Sequence, residues 1–218
     1  MPTSRIQRGF VDTLGSSAER THSHRGYECP RMFRNCARDI WELFLDIYVS
    51  DFELRGRQIF KLAILTISDT GSKGEREDTS GDAISKIMAD AGGFEEVARE
   101  VVADETGLIA GRLTEWCDTG DIDLVVTTGG TGLGPRDVTP EATRQVIDLE
   151  VPGIAEAMRM ETLKITPFAM LSRSVVGVRN GCLIVNLPGS PKGVTETLEV
   201  ALRGISHALE MVKGWRTH

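Results

Sequence analysis

Apolar and polar positions along this chain follow two regimes, and the change comes near residue 59. From there, short apolar runs alternate with amphipathic stretches. IFKLAILTIS (59–68) is almost continuously apolar, as a strand covered on both faces must be, and it ends in the polar loop DTGSKGERED. A helix is predicted from Gly81 to Ala91, capped by Thr79 or Ser80 and stopped by Gly92-Gly93. EEVAREVVA (95–103) reads as a second strand, with Asp104 at its end. Glu105 to Asp118 reads as a helix turning Leu108, Ile109, Leu113 and Trp116 inward, closed by Gly120. IDLVVTT (122–128) is the clearest buried strand and runs into GGTGLGPRD. Thr139-Pro140 pairs a cap with proline at the first helical position and predicts a helix to about Leu149. Pro152-Gly153 breaks the chain before a helix over 154–164. SVVGVRNGCLIVNLP is a β-hairpin pattern turning on Asn180-Gly181. A final helix runs to about Lys213, with Val194, Leu198, Leu202, Ile205, Leu209 and Val212 recurring every three or four positions. This order predicts an α/β fold with a mostly parallel sheet and one antiparallel insertion.

Residues 1–58 look different. They hold 9 Arg, no Lys and 8 acids, so they sit near +1 while the remainder carries about −8. They also contain 7 of the 12 aromatic residues. The first half is polar and irregular; CARDIWELFLDIYVSDF (36–52) has the spacing of one amphipathic helix. The expectation is a poorly ordered or helical N-terminal extension, lineage-specific or from an over-long start, with the functional domain spanning 59–218. His22, His24, Cys29 and Cys36 match no common zinc spacing.

Composition narrows the function. At 218 residues and 40% hydrophobic, the chain can bury a core without disulfide or metal staples. Four Cys without a CxxC pair suit a reducing compartment. No apolar run reaches the ~18 residues of a membrane span, the N-terminus lacks a secretory apolar core, and a net charge of −7 argues against a nucleic-acid binder. A cytoplasmic protein is expected.

In an open parallel sheet, ligands bind beyond the carboxyl ends of the strands. Four polar segments converge there: Ser68-Asp69-Thr70, Asp104-Glu105, Gly129 to Asp137, and Pro188 to Gly193. GGTGLG leaves backbone N–H groups open to an anion, although it is neither a dinucleotide fingerprint nor a P-loop. In NLPGSPKG, Ser190 can cap, Pro191 takes the first helical position, and Lys192 adds charge at a helix N-terminus suited to phosphate. Residues 59–218 contain only His207 and His218, with no GxSxG or HExxH, so serine-hydrolase and zinc-protease readings lose their parts. Cys117 and Cys182 read as packing residues. Acidic loops, anion-binding glycines and no usable histidine suit phosphoryl or nucleotidyl transfer with Mg²⁺, with Asp69, Asp104 and Asp137 as candidate carboxylates.

At LTISDTGSKGEREDTSG, VVADE, VTTGGTGLGPRDVTPEAT, PGIAEAMR, LSR and NLPGSPKG, the chain resembles the MogA-like and MoaB-like molybdopterin-binding proteins of molybdenum-cofactor biosynthesis. The likeness covers about 59–214. It implies a three-layer α/β sandwich, usually a homotrimer, that uses Mg²⁺ and ATP to adenylylate molybdopterin. The product would pass to a molybdate-insertion enzyme. By resemblance, Asp104 and Asp137 are the catalytic, metal-binding pair. Gly129, Gly130, Thr131 and Gly132 would line the pterin and phosphate pocket; Pro188, Gly189, Ser190 and Lys192 would hold the anionic end; Ser68 and Asp69 would complete it. Glu156 and Arg159 match a PGxxExxR segment that an ion pair explains equally well. EDTSG (77–81) is closer to the MoaB branch, RDVTPEAT and NLPGSPKG to the adenylyltransferases. The competing readings are a non-catalytic molybdopterin carrier and the related domain of competence-damage proteins.

Overall fold

A computed structural model describes residues 59–215; the helix pattern at 36–52, the rest of 1–58 and the last three residues lie outside the described residues. The described chain forms β1 (Phe60–Ile67), α1 (Thr79–Ala91), β2 (Phe94–Val102), α2 (Thr106–Asp118), β3 (Leu124–Thr128), α3 (Thr139–Val146), β4 (Leu149–Glu150), α4 (Pro152–Leu163), a short 3₁₀ turn (Pro167–Leu171), β5 (Val176–Arg179), β6 (Cys182–Leu187) and α5 (Pro191–Val212). One six-stranded sheet has the order β2-β1-β3-β6-β5-β4. β2, β1, β3 and β6 are parallel, and β5 runs antiparallel to both β6 and β4.

Strand periodicity builds the layers. Leu62 and Ile64 of β1, Leu124 and Val126 of β3, and Leu183 and Val185 of β6 face α1, α4 and α5. Their alternates Ala63, Leu65, Val125 and Ile184 face Ile109, Leu113 and Trp116 of α2 and Ala142 and Val146 of α3. The result is the expected α/β sandwich, with β3 buried along its whole length. β2 departs from that pattern: it is the sheet edge, largely exposed, and its Glu95, Glu96, Arg99 and Glu100 deter edge pairing.

Several boundaries differ from the sequence expectation. The cap of α1 is Asp78, whose carboxylate accepts from the N–H of Gly81, so Thr79 and Ser80 are inside the helix. Leu108 faces outward, and Cys117 takes the fourth inward place on α2. α3 stops at Val146 because Asp148 and Val151 donate their N–H groups to β5, drawing Leu149–Glu150 into the sheet. Pro152-Gly153 forms the first turn of α4, where a proline lacks nothing the helix needs. The hairpin turn is as expected, with φ of 46° at Asn180 and 78° at Gly181. Cys117 and Cys182 are both fully buried. Among the described residues no helix is long and apolar enough to cross a membrane.

Candidate functional site

The parallel order of β2, β1, β3 and β6 brings four loops to one edge of the sheet, as sequence reasoning required. The β1 and β2 loops are tied by a reciprocal pair. The Asp69 N–H donates to Asp104 Oδ2 at 2.7 Å, and the Asp104 N–H donates to Asp69 Oδ1 at 3.1 Å. Arg136, from the β3 loop, grips Asp69 with Nε at 3.0 Å and Nη2 at 2.7 Å. That fork holds the Asp69 carboxyl below the usual carboxylate range. Burial pushes Asp104 the other way, and the nearby charges of Asp69 and Asp137 add to the rise against the hydrogen bond from the Asp69 backbone. Two adjacent carboxylates thus differ in role: Asp69 is neutralised by an arginine, while Asp104 Oδ1 accepts from no donor among the described residues.

The β3 loop is shaped by positions where only glycine fits. Gly129 has φ of 100°, and a Cβ there would lie 2.3 Å from the Ile67 carbonyl oxygen. Gly130 has φ of 63°, and its Cβ would meet Thr139 Oγ1 at 2.4 Å and Asp104 Oδ1 at 3.3 Å. The close approach seen here is to Ile67 and Thr139, whereas the motif had suggested approach to an anion. Thr139 does not cap α3; its buried hydroxyl donates to the Gly129 carbonyl at 2.8 Å. Further on, Asp137 Oδ2 accepts from the Gly134 N–H at 2.6 Å, and its Oδ1 too accepts from no donor among the described residues.

The β6 loop meets the β3 loop directly, since a Cβ on Gly189 would lie 3.1 Å from the Gly129 Cα. The Thr128 hydroxyl donates to the Pro188 carbonyl, and the Ser80 hydroxyl to the Gly189 carbonyl. Ser190 caps α5, accepting from the Gly193 N–H, as predicted. Lys192 is 82% exposed at the mouth, 3.7 Å from Glu196.

Gly130 and Gly189 form a ridge between two cavities. On one side lies a polar cavity of about 190 Å³ lined by Ser68, Asp78, Ser80, Asp104 and Gly129. On the other lies a cavity of about 650 Å³, with Met158, Phe168 and Leu171 as its apolar wall and Thr131, Asp137 and Lys192 among its polar lining. Of the residues that the resemblance assigns to catalysis or to the pocket, Asp69 alone lines neither cavity. Arg159 donates to the Ser174 carbonyl at 3.1 Å and lines the larger cavity, in place of the ion pair considered for it with Glu156.

Among the described residues no cluster of three or more His, Cys, Asp or Glu could hold a metal. Asp104 Oδ1 and Asp137 Oδ1 are carboxylate oxygens of the site that, among the described residues, accept from no protein donor. Mg²⁺ is commonly bound through one or two carboxylates, with water and substrate phosphate completing its shell. The residues present fit that ion.

Sequence reasoning read Ser80 and Thr139 only as helix caps and held Arg173, whose contacts reach the β3 loop, only within the LSR motif; it missed the 3₁₀ turn that carries Phe168. Each acts over a distance in sequence that no local motif encodes.

Residues 63–207 match the family described as a probable molybdopterin binding domain. The chain is 45% identical over 158 residues to a molybdopterin adenylyltransferase of Helicobacter pylori, covering 72% of this chain and 90% of that one. It is 41% identical over 140 residues to the molybdopterin adenylyltransferase of Escherichia coli K12, covering 64% and 72%. The crystal structure of the molybdopterin biosynthesis enzyme MoaB from Thermus thermophilus superposes with a TM-score of 0.68 at 53% identity, covering 72% of this chain and 98% of that one.

Proposed function

The chain belongs to the molybdopterin-binding domain family of molybdenum-cofactor biosynthesis, and on that footing we propose that it is a molybdopterin adenylyltransferase. It transfers the adenylyl group of ATP to the phosphate of molybdopterin and releases pyrophosphate. The observation that carries this reading is the pair Asp104 and Asp137, one on each side of the Gly130–Gly189 ridge, each with an open carboxylate oxygen. A carrier gains nothing from two unpaired carboxylates beside an anionic ligand, since like charges repel.

Asp104 and Asp137 would hold Mg²⁺. When bound, the ion neutralises phosphate charge and steadies the phosphorus under attack. The chain's own residues do the rest. Glycine backbone at 129, 130 and 132, with Thr131, lets phosphate approach closely. Pro188, Gly189, Ser190 and Lys192 present a helix N-terminus and one positive charge to the anionic end of the substrate. Ser68 completes the polar side, and Asp69 orders Arg136 and the β2 loop. The attacking group is a phosphate, ionised at neutral pH, so no strong base is required; a site without histidine suffices.

The same reading takes 59–218 as the catalytic domain, 1–58 as an extension outside it, a homotrimer as the assembly, the cytoplasm as the location and a molybdate-insertion enzyme as the consumer of the product. The test is molybdopterin-dependent pyrophosphate release from Mg·ATP, with Asp137→Asn in parallel. Release by the wild type alone, with molybdopterin binding retained in the variant, is the expected result. No release from a folded protein that still binds molybdopterin would make the chain a carrier.

A further inference from the structure

Arg173 lies between the 3₁₀ turn and β5, more than thirty residues beyond the β3 loop in sequence, yet most of its hydrogen bonds end on that loop. Its backbone N–H donates to the Thr131 carbonyl at 3.0 Å. Its Nε donates to the Gly132 carbonyl at 2.7 Å and its Nη2 to the Asp137 carbonyl at 2.5 Å. Nη1 pairs with the Glu141 carboxylate on α3. The guanidinium therefore joins the two ends of the arch 132–137. Gly134 closes the arch from within, its carbonyl taking the Asp137 N–H and its own N–H going to Asp137 Oδ2. The main chain of Asp137 is thus held at both its N–H and its carbonyl, and its side chain at one oxygen, leaving Oδ1 with one direction to face.

Charge tells the same story. Glu141 balances the Arg173 charge, and it is the neighbours Ser172 and Ser174 that line the larger cavity. An arginine meant to attract an anion would be left unpaired and turned into that cavity.

We propose that Arg173 is a positioning residue for the adenylyl transfer, a clamp that fixes the β3 loop so that Asp137 presents its open oxygen. The role rests on the reading of the site given above. Its three nitrogens, spread over a rigid plane, each reach a different acceptor, two carbonyls and a carboxylate; the three N–H donors of a lysine ammonium radiate from one nitrogen and cannot span them.

The experiment pairs Arg173→Lys with Arg173→Ala. It measures kcat and KM for Mg·ATP and molybdopterin, the Mg²⁺ concentration for half-maximal rate, the thermal midpoint, and amide hydrogen exchange at Gly132 to Asp137 without ligands. The expected result for Arg173→Lys is a folded protein with faster exchange confined to the arch. Its kcat falls about 100-fold, as misplacement of a reacting group by about 1 Å produces, while KM for molybdopterin stays within about threefold and more Mg²⁺ is needed. Unchanged arch exchange, restoration of full kcat by lysine, or a kcat loss that only tracks the fraction folded would overturn the clamp. If the wild type releases no pyrophosphate, the proposed activity fails instead. Arch exchange in Arg173→Lys then decides the clamp alone, faster supporting it and unchanged refuting it.

Discussion

Two glycine-bearing loops, after β3 and after β6, occupy equivalent places at the carboxyl ends of adjacent parallel strands, yet they are held by different means. The β3 loop has glycines at φ of 100° and 63° and depends on a guanidinium that arrives from another part of the chain. In the β6 loop the one glycine, Gly189, has no positive φ. Its carbonyls take two hydroxyl donors, and its helix is started by the local pair Ser190 and Pro191. The difference follows from length. Ten residues separate β3 from α3, too many for caps alone to order, whereas three separate β6 from α5, so strand and helix fix both ends.

The largest way to break the comparison is to add one methyl group to each loop. Gly129→Ala places a Cβ 2.3 Å from a main-chain oxygen in a conformation that side chains avoid. It should cost about 3 kcal/mol or more. Gly189→Ala keeps an ordinary backbone and meets the Gly129 Cα at 3.1 Å, so the loops need shift only slightly. About 1–2 kcal/mol is expected. Urea unfolding of the two variants checks the order; equal losses would mean that the loops share one source of rigidity.

Next comes the buried hydroxyl of Thr139. Thr139→Val preserves shape and removes the donor to the Gly129 carbonyl, leaving a buried acceptor unpaired. A loss of about 1–3 kcal/mol is expected in the same unfolding measurement. Ser190→Ala, the matching change in the β6 loop, removes a helix cap beside solvent and should cost about 1 kcal/mol. Turnover sharpens the contrast. Thr139→Val should lower kcat through the Gly129–Gly130 backbone, and Ser190→Ala should act chiefly on KM for molybdopterin.

How far the sequence foretold these loops depends on the range of the forces involved. β1, β3 and β6 were readable because both-face burial makes their apolar runs continuous. The Asn180-Gly181 turn and the Ser190-Pro191 start were readable because turn and cap chemistry is local. Gly129 and Gly130 were visible as a motif, but the reason they must be glycine, contact with Ile67 and Thr139, is tertiary. Arg173 was visible only inside a short LSR match, since nothing at its own position indicates acceptors at 131, 132 and 137. Leu108 failed for a related reason: helical spacing placed it at the border of the apolar stripe, and packing gave the inward place to Cys117.

The smallest effect lies away from both loops, at the β2 edge, and it tests whether the β6 loop is as self-contained as its local caps imply. Arg99 forks Glu96 on β2 and Asp82 on α1, tying that helix to the edge strand. The same helix carries Ser80, whose hydroxyl holds the Gly189 carbonyl. The Arg99 guanidinium, helped by the Ser85 hydroxyl, keeps the Glu96 carboxyl below its ordinary value of 4.5. A carboxyl depressed in the folded state stabilises the fold above its unfolded pKa, and that contribution is lost as pH falls through the folded value. Glu96→Gln should therefore cost less than about 1 kcal/mol at pH 7. Its gap from the wild type should close on acidification below pH 4.5, in urea unfolding followed at several pH values. Turnover should not change, because the caps of α5 and the Thr128 hydroxyl still hold the β6 loop. A rise in KM for molybdopterin at unchanged stability would show instead that α1 transmits its position through Ser80. The β6 loop would then be as dependent on distant residues as its neighbour.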